Sequence, residues 1–312
     1  MINFRYHVVS LISVFLALAL GIIVGTTQLN GAVLSDLRSQ VHGLKNDKQG
    51  LEAANRQLTG QLASSDQFAS SIAPAVVAGR LTNTKVLVVV APGASSGVVG
   101  GVSKLLHGAG AVVTGTVDLT SDYLDPRRSA DLKDFATSGV VPAGFNLPAT
   151  ADSGALAGSL LADVLTTKQG EPDPTQTERQ QVLAGFASLS VLRLASRKLD
   201  PANFVVVVST GAATGSNPAQ QVHMVVALSS ALRTRGLGVV VTGTADSAGP
   251  DGVIGAVRSD DHLAGTLSTV DDANTVAGQL STVLAVSEEK GGKLGHYGTT
   301  KSADSPVPSL GQ

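Results

Sequence analysis

Residues 85–91 read KVLVVVA, and this run of β-branched residues decides the fold of the C-terminal part of the chain. The run does not alternate polar and apolar residues, so it predicts a strand that is buried on both faces. Two later runs have the same character, FVVVVS at residues 204–209 and LGVVVT at residues 237–242. Strands of this kind need helices on both faces, which is the arrangement of a mostly parallel sheet.

Helical segments alternate with these strands. We predict helices at residues 95–107, 129–138, 152–168, 175–197, 218–235 and 272–286, and a further strand at residues 111–118. Thr175 and Glu178 have the spacing of a capping box at the start of one helix. The alternation predicts a three-layer, Rossmann-like α/β domain over residues 85–290. We expect residues 291–312, rich in Gly, Ser, Thr and Pro, to form a flexible tail.

The N-terminal segment contains an uncharged apolar run at residues 8–25, VVSLISVFLALALGIIVG. As a helix this run is about 27 Å long, close to the hydrocarbon thickness of a bilayer. Small side chains recur at every fourth position and end in a GxxxG motif, which favours close pairing of two helices in lipid. This stripe consists of Ser13, Ala17, Gly21 and Gly25. We interpret residues 1–30 as a transmembrane anchor that pairs with a second copy. The alternative is a cleaved signal peptide, although no A-x-A site follows the run.

Beyond the anchor, the apolar residues follow a heptad pattern. The pattern predicts a coiled-coil stalk over residues 31–68, followed by a linker over residues 69–84. Two polar residues occupy a positions, and a polar a residue favours one register of a parallel dimer at a cost in stability. The predicted interface consists of Leu34, Leu37, Val41, Leu44, Lys48, Leu51, Asn55, Leu58 and Leu62. The alternative is an amphipathic helix that packs on its own domain.

Composition excludes several classes of function. The 312 residues have a net charge of −2 and 3% aromatic residues, so we expect neither a basic surface nor stacking platforms for nucleic acid. The sequence contains no cysteine, which excludes disulfides and thiolate metal sites.

Candidate metal ligands occur at two places in the sequence. His223 and Met224 are adjacent, but neighbouring side chains on a helix point about 100° apart, which works against joint binding of one ion. Asp260, Asp261 and His262 combine two carboxylates with an imidazole, a set that suits a divalent ion. A solvated turn is the alternative interpretation. We assign no cofactor.

Residues 93–97, GASSG, form a G-x-S-x-G motif between a predicted strand and a predicted helix. This is the context of a nucleophile elbow, and Asp246 and His262 follow in the order found in α/β-hydrolases. A hydrolase that uses Ser95 is therefore one hypothesis. The motif follows the first strand of the domain, whereas hydrolases place several strands before it. We therefore expect an ordinary turn and no enzyme.

Two loops follow predicted strands, STGAATGS at residues 209–216 and TGTADSAGPDG at residues 242–252. They lie at the edge where α/β sheets bind ligands. Neither loop matches a nucleotide-binding motif. The two interpretations are a cleft for a small ligand and plain connecting turns.

Several stretches resemble the actinobacterial copper transporter MctB family. They are FRYHVVSL at residues 4–11, VFLALALG at 14–21, STVD at 268–271, TVAGQ at 275–279 and GHYG at 295–298. The resemblance covers the chain in order and implies a cell-envelope protein of copper tolerance, described as letting copper leave across a mycobacterial-type outer membrane. It also implies relatives that act in cell separation beside a membrane partner and pair through a coiled coil. It implies copper as a candidate transported ion, and it implies no set of ligand residues.

Two features bear on how such a protein would act. One span cannot enclose a pore, and apolar strands interleaved with helices do not form a membrane barrel, so efflux would need several copies. Cu(I) prefers thiolate or thioether ligands, and Met1 and Met224 are the only methionines. Our first hypothesis is a copper-homeostasis protein that works as an oligomer, a parallel homodimer at least. The second is a dimeric single-pass scaffold that positions or regulates a cell-wall or cell-separation partner. In both, the α/β domain lies outside the cytoplasm, and the inner membrane suits the anchor better than the outer membrane that the resemblance implies.

Overall fold

The computed structural model describes residues 4–138, 141–142, 145, 147–168, 170, 172–195 and 199–309, without the side chains of residues 27–33. The chain divides into two compact units, Met1–Ser65 and Asp66–Gln312.

One helix, α1, covers Phe4–Val77. Its first part, Phe4–Thr26, is long and apolar enough to cross a membrane, and none of it is buried within the protein. This confirms the N-terminal apolar helix expected from the sequence. At its other end, in the second unit, Ala69, Ala73 and Val77 recur every fourth residue and are buried. This spacing keeps one face of the helix against the α/β core, so the helix continues into the segment predicted to be a linker.

The second unit is built on a seven-stranded sheet in the order β3-β2-β1-β4-β5-β6-β7. The strands are β1 Lys85–Val90, β2 Val112–Leu119, β3 Leu192–Leu194, β4 Phe204–Val208, β5 Gly238–Thr242, β6 Ser268–Val270 and β7 His296–Tyr297. β3 pairs antiparallel with β2, and every other neighbouring pair is parallel. The mostly parallel sheet predicted from the apolar runs is confirmed.

Helices cover both faces of this sheet. They are α2 Ser96–Gly108, α3 Ser129–Thr137, α4 Ser153–Leu165, α5 Gln176–Ser188, α6 Pro218–Arg235, α7 Val253–Ser259, α8 Asp261–Ala264 and α9 Val276–Lys290. The capping box of Thr175 and Glu178 is present at the start of α5. Helix α5 ends nine residues earlier than the predicted boundary at 197, because Ser190 adopts a left-handed φ of 60° and turns the chain into β3.

The core has two layers, one on each face of the sheet. Along β4, Val205 and Val207 pack into the layer that contains α4 and α5, whereas Val206 and Val208 pack into the layer that contains α2 and α9. All four side chains are fully buried. A central strand therefore needs apolar residues at every position, which explains the unbroken run FVVVV.

The segment after Gly291 differs from the flexible tail expected from its composition. It supplies β7, in which His296 pairs with Thr269 and Tyr297 pairs with Val270 of β6. Tyr297 is only 7% exposed and packs in the core. Hydrogen bonds hold most of the segment in place. Such bonds leave no hydrophobic pattern in the sequence, so the order of the segment could not be seen from its composition.

Candidate functional site

The strand order creates a switch point between β1 and β4. The chain leaves β1 to form β2 on one side, and after β3 it returns to form β4 on the other side. Open α/β sheets bind ligands at the carboxyl ends of the strands at such a point. A cavity of about 270 Å³ lies there, and its lining includes Ala91, Pro92 and Gly93 after β1 and residues 210–214 after β4.

The floor of this cavity is apolar and its rim is polar. Val222, Val225 and Val253 line the floor. Thr210, Thr214 and Gln221 also line the cavity and supply hydroxyl and amide groups. A concave apolar pocket with a few polar groups is the usual form of a small-molecule site.

Gly93 allows the two loops of the cavity to come together. Its φ of 81° lies in the left-handed region, which a residue with a side chain adopts at a cost. A Cβ atom at this position would lie 3.2 Å from Thr210 Cγ2. The glycine therefore serves both the sharp turn after β1 and the close approach of the loop after β4.

A wider groove of about 730 Å³ continues from the cavity, and the two share Pro92, Leu124, Thr214 and Gln221. Its charged residues form a pair, since Arg127 Nη2 lies 2.6 Å from Asp125 Oδ2. Hydrogen bonds from the side chain and backbone of Arg127 lower the pKa of Asp125 to about 2. The groove therefore carries two opposite charges that balance each other at neutral pH.

The candidate nucleophile Ser95 occupies the N-cap position of α2, and its side chain is exposed. In the described part of the chain, no imidazole lies within hydrogen-bond distance of its hydroxyl. Asp246 lies in a 3-10 turn after β5, and His262 lies in α8. The motif at residues 93–97 thus forms a turn between a strand and a helix.

His223 and Met224 point to different environments. His223 is exposed, and its Nε2 lies 2.7 Å from Asp152 Oδ2. Met224 is 2% exposed and lies in the core, where a Cβ atom on Gly154 would come within 3.0 Å of its sulfur. Burial raises the pKa of Asp152, but hydrogen bonds from the Ala155 N–H and from His223 outweigh this and lower it overall.

Asp260, Asp261 and His262 form the start of α8. Asp260 Oδ1 accepts the backbone N–H groups of His262 at 2.9 Å and of Leu263 at 3.0 Å, so this carboxylate caps the helix. The side chains of Asp261 and His262 are exposed. Among the residues that the structure describes, no group of three or more His, Asp or Glu side chains could hold a metal ion.

The heptad positions of α1 form an exposed apolar seam in the first unit. The large apolar side chains of the seam are between 47% and 72% exposed. They are Leu34, Leu37, Val41, Leu44, Leu51, Leu58 and Leu62. Nearer the N-terminus, the hydroxyl of Ser13 donates to Val9 O at 2.9 Å, so its polar group is satisfied within the helix. Apart from the adjacent residues and the backbone of the same helix, nothing in the described part of the chain lies within 4 Å of a Cβ placed on Gly21 or Gly25.

Sequence reasoning missed a buried polar cluster at the end of β6. Arg258 Nη1 lies 2.7 Å from Asp271 Oδ2, and the two side chains are 4% and 0% exposed. Arg258 Nη2 donates to Tyr297 O at 2.8 Å, and Nη1 donates to Thr300 Oγ1 at 3.0 Å. The cluster joins the STVD stretch to the segment after GHYG, two of the stretches on which the family resemblance rests. The resemblance of both stretches to the family was a signal in the sequence, but nothing in the sequence linked Arg258 to them.

Comparison with known proteins gives one consistent result. A family model described as "Copper transport outer membrane protein, MctB" matches residues 1–308. The copper transporter MctB of Mycobacterium tuberculosis (strain ATCC 25618 / H37Rv) is 33% identical over 314 residues, which cover 99% of this chain and 100% of the relative. The copper transporter MctB of Mycobacterium leprae (strain TN) is 30% identical over 313 residues, which cover 98% of each chain. The chain, with its apolar N-terminal helix and α/β domain, therefore belongs to the MctB family.

Proposed function

We propose that this protein is a cell-envelope protein of copper homeostasis that supports copper efflux as an oligomer. The observation that carries the proposal is the match over nearly the full length to relatives named copper transporters. Phe4–Thr26 would hold the protein at a membrane, with the second unit on the extracytoplasmic side. Because this segment has the length and composition of a membrane-spanning helix, an inner-membrane anchor is the location that we propose.

The oligomer that we propose is a parallel homodimer formed by α1. In water, an exposed apolar seam with heptad spacing favours pairing with a second copy, because pairing removes the leucine side chains from solvent. Lys48 and Asn55 occupy a positions of the seam and favour one register. In the bilayer, the stripe of Ser13, Ala17, Gly21 and Gly25 would let two helices approach closely.

Copper would be bound weakly by His and carboxylate side chains of one chain, or by ligands that two copies supply together. In the described residues of one chain no side-chain group suits a high-affinity site, and the two candidate positions offer few ligands each. His223 lies beside Asp152, while Met224 is buried. Asp260, Asp261 and His262 lie at an exposed helix start. These residues remain our candidate contacts for copper.

A second candidate function is a dimeric scaffold that positions or regulates a cell-wall or cell-separation partner. The exposed seam of α1 favours it, because a scaffold needs assembly and does not need a metal site. Under this proposal copper tolerance depends on the state of the envelope and not on binding of the ion.

Complementation of a deletion strain separates the two functions. We expect Leu51→Asp to abolish rescue of both copper tolerance and cell shape, because it places a charge in the seam. Ala53→Asp, at the outer f position of the same heptad, is the matched control. Under the efflux proposal, a variant with His223→Ala and His262→Ala loses copper tolerance and keeps normal cell shape. Loss of cell shape without loss of copper tolerance in the Leu51→Asp strain would contradict the efflux proposal.

Titration of the full chain with Cu(I) and Cu(II) gives an independent measurement. Direct handling of copper predicts binding that weakens in the double histidine variant. No measurable binding up to about 1 mM would leave the scaffold as the function.

A further inference from the structure

We propose that the cavity at the switch point binds a small uncharged molecule that carries an amide group. The inner cavity of about 270 Å³ is close to the lower end of the range for small-molecule sites. A site of this size suits a compact ligand, or one compact group of a larger ligand whose remainder lies in the adjoining groove. The proposal is separate from copper, because neither candidate copper position lines the cavity.

The floor of the cavity selects an apolar body. Val222, Val225 and Val253 are 7%, 2% and 6% exposed, so they present a fixed apolar surface that belongs to the core of the domain. An aliphatic group placed against these side chains would leave water and gain contact with them.

The charges around the cavity select an uncharged ligand. The residues that line the inner cavity include no Asp, Glu, Lys, Arg or His. An anion that entered would lose part of its hydration without gaining an opposite charge, which is unfavourable. Asp246 Oδ2 would lie 3.8 Å from a Cβ atom on Gly211, so this carboxylate lies close behind the lining, and the cationic probe below tests its effect. In the outer groove, Asp125 and Arg127 are already paired with each other.

The polar groups of the cavity select an amide. Gln221 Nε2 donates to Thr214 O at 3.1 Å, which leaves Gln221 Oε1 as an acceptor. The backbone N–H groups of Gly211 and Ala212 have no hydrogen-bond partner in the part of the chain that the structure describes. Gln221 on α6 and Gly211 and Ala212 on the loop after β4, which carry this acceptor and these donors, all line the cavity. An amide presents the matching donor and acceptor in one uncharged group.

Binding of three matched probes to the full chain in lipid nanodiscs tests this proposal. The probes are N-isopropylacetamide, 3-methylbutanoate and isobutylammonium, and surface plasmon resonance with empty nanodiscs as the reference removes partition into lipid. We expect the amide to bind with a Kd in the millimolar range, as fits a ligand of so few atoms, and the two ions to bind at least about tenfold more weakly.

Variants locate the site. Ala212→Phe places a ring at the exposed edge of the cavity and is expected to weaken amide binding by about tenfold or more. Ala219→Phe, on an exposed position of α6 that does not line the cavity, is expected to change nothing. Gln221→Met keeps the volume of the side chain and removes the acceptor, so it should also weaken binding.

Circular dichroism melting curves check that each variant folds. The proposal is overturned if the amide gives no response up to about 10 mM, a concentration at which a fragment-sized ligand would be detected. It is also overturned if the ions bind as well as the amide, or if Ala212→Phe and Gln221→Met both leave the affinity of the amide unchanged.

Discussion

Arg258 and Asp271 form a buried ion pair, 2.7 Å between Nη1 and Oδ2, that connects α7 to the end of β6 and to the C-terminal segment. The carboxylate also accepts the backbone N–H of Thr299 at 2.8 Å. Burial would raise the pKa of Asp271, but hydrogen bonds from the Thr300 hydroxyl, from Arg258 and from the Thr299 N–H outweigh it, so the pKa lies below the usual value. A pair that is satisfied on both sides tolerates removal from water, whereas a single remaining charge does not.

Replacing the arginine should therefore cost much of the stability of the domain. We expect Arg258→Met to lower the free energy of unfolding by about 3–5 kcal/mol, because Asp271 would stay buried without its counter-charge. Urea unfolding of the full chain measures this loss. Arg127→Met is the matched control, since its pair with Asp125 lies at the surface and should matter little. Equal effects of the two variants would contradict the structural role of Arg258.

Substitutions at two glycines in the C-terminal segment distinguish the stability cost of backbone strain from that of lost space for close packing. Gly298 and Gly292 both have positive φ, 132° and 78°. A Cβ atom on Gly298 would lie 2.2 Å from Asp271 Oδ1, whereas nothing lies within 4 Å of one on Gly292. We expect Gly292→Ala to cost about 1–2 kcal/mol through strain alone, and Gly298→Ala to cost clearly more. Thermal unfolding compares the two, and a smaller loss for Gly298→Ala would refute the packing that we describe.

Glu289 should make the domain less stable as the pH rises. It is 7% exposed, and its Oε1 accepts the Ser268 N–H at 3.2 Å. Burial raises the pKa of Glu289 from 4.5 to about 7. Because the folded state holds the proton more tightly than the unfolded state, this contribution is complete below pH 4.5 and is lost as the pH rises through 7.

Glu289→Gln keeps the acceptor for Ser268 and removes the titration, so the decline in urea midpoint between pH 5 and 8 should become flatter. Asp272, whose pKa burial raises to about 6, contributes with the same sign and accounts for part of the remaining slope. Asp134→Asn, at an exposed position of α3, is the control variant. An unchanged slope in Glu289→Gln would show that this carboxyl does not titrate in the folded protein.

Cysteine crosslinking tests the seam of α1. The sequence contains no native cysteine, so any disulfide must join the introduced residues. We expect Leu51→Cys, at a d position, to give a disulfide-linked dimer in membranes under mild oxidation. Ala53→Cys, two residues away on the outer face of the helix, should remain monomeric. Crosslinking of both variants to the same extent would indicate random collision and not a defined coiled coil.

Strands with a strong local signal could be predicted from the sequence, and the short strands β3, β6 and β7 could not. β1, β4 and β5 are unbroken apolar runs because both faces are covered, and that pattern is visible locally. β3 and β6 have three residues each and β7 has two, too few to show a period. Their positions depend on partners far along the chain, as the pairing of Thr269 with His296 shows.

The candidate site likewise has parts that could be predicted from the sequence and parts that could not. The loop at residues 209–216 was predicted to lie at the ligand-binding edge, and residues 210–214 line the cavity there. The contribution of Leu124 could not be predicted, because only the folded chain brings the turn after β2 to the same place. Arg258 likewise gave no local sign of its role, since its partners lie 11 to 44 residues away.

The distance along the chain between Arg258 and these partners has a consequence for folding. Tyr297, Thr300 and Ser302 supply three of the oxygen atoms that surround the guanidinium of Arg258. They follow Arg258 by 39 to 44 residues, so the guanidinium lacks these acceptors until the segment at residues 297–302 has been synthesised. Contacts between residues so far apart in sequence form slowly, because the intervening loop must first be closed.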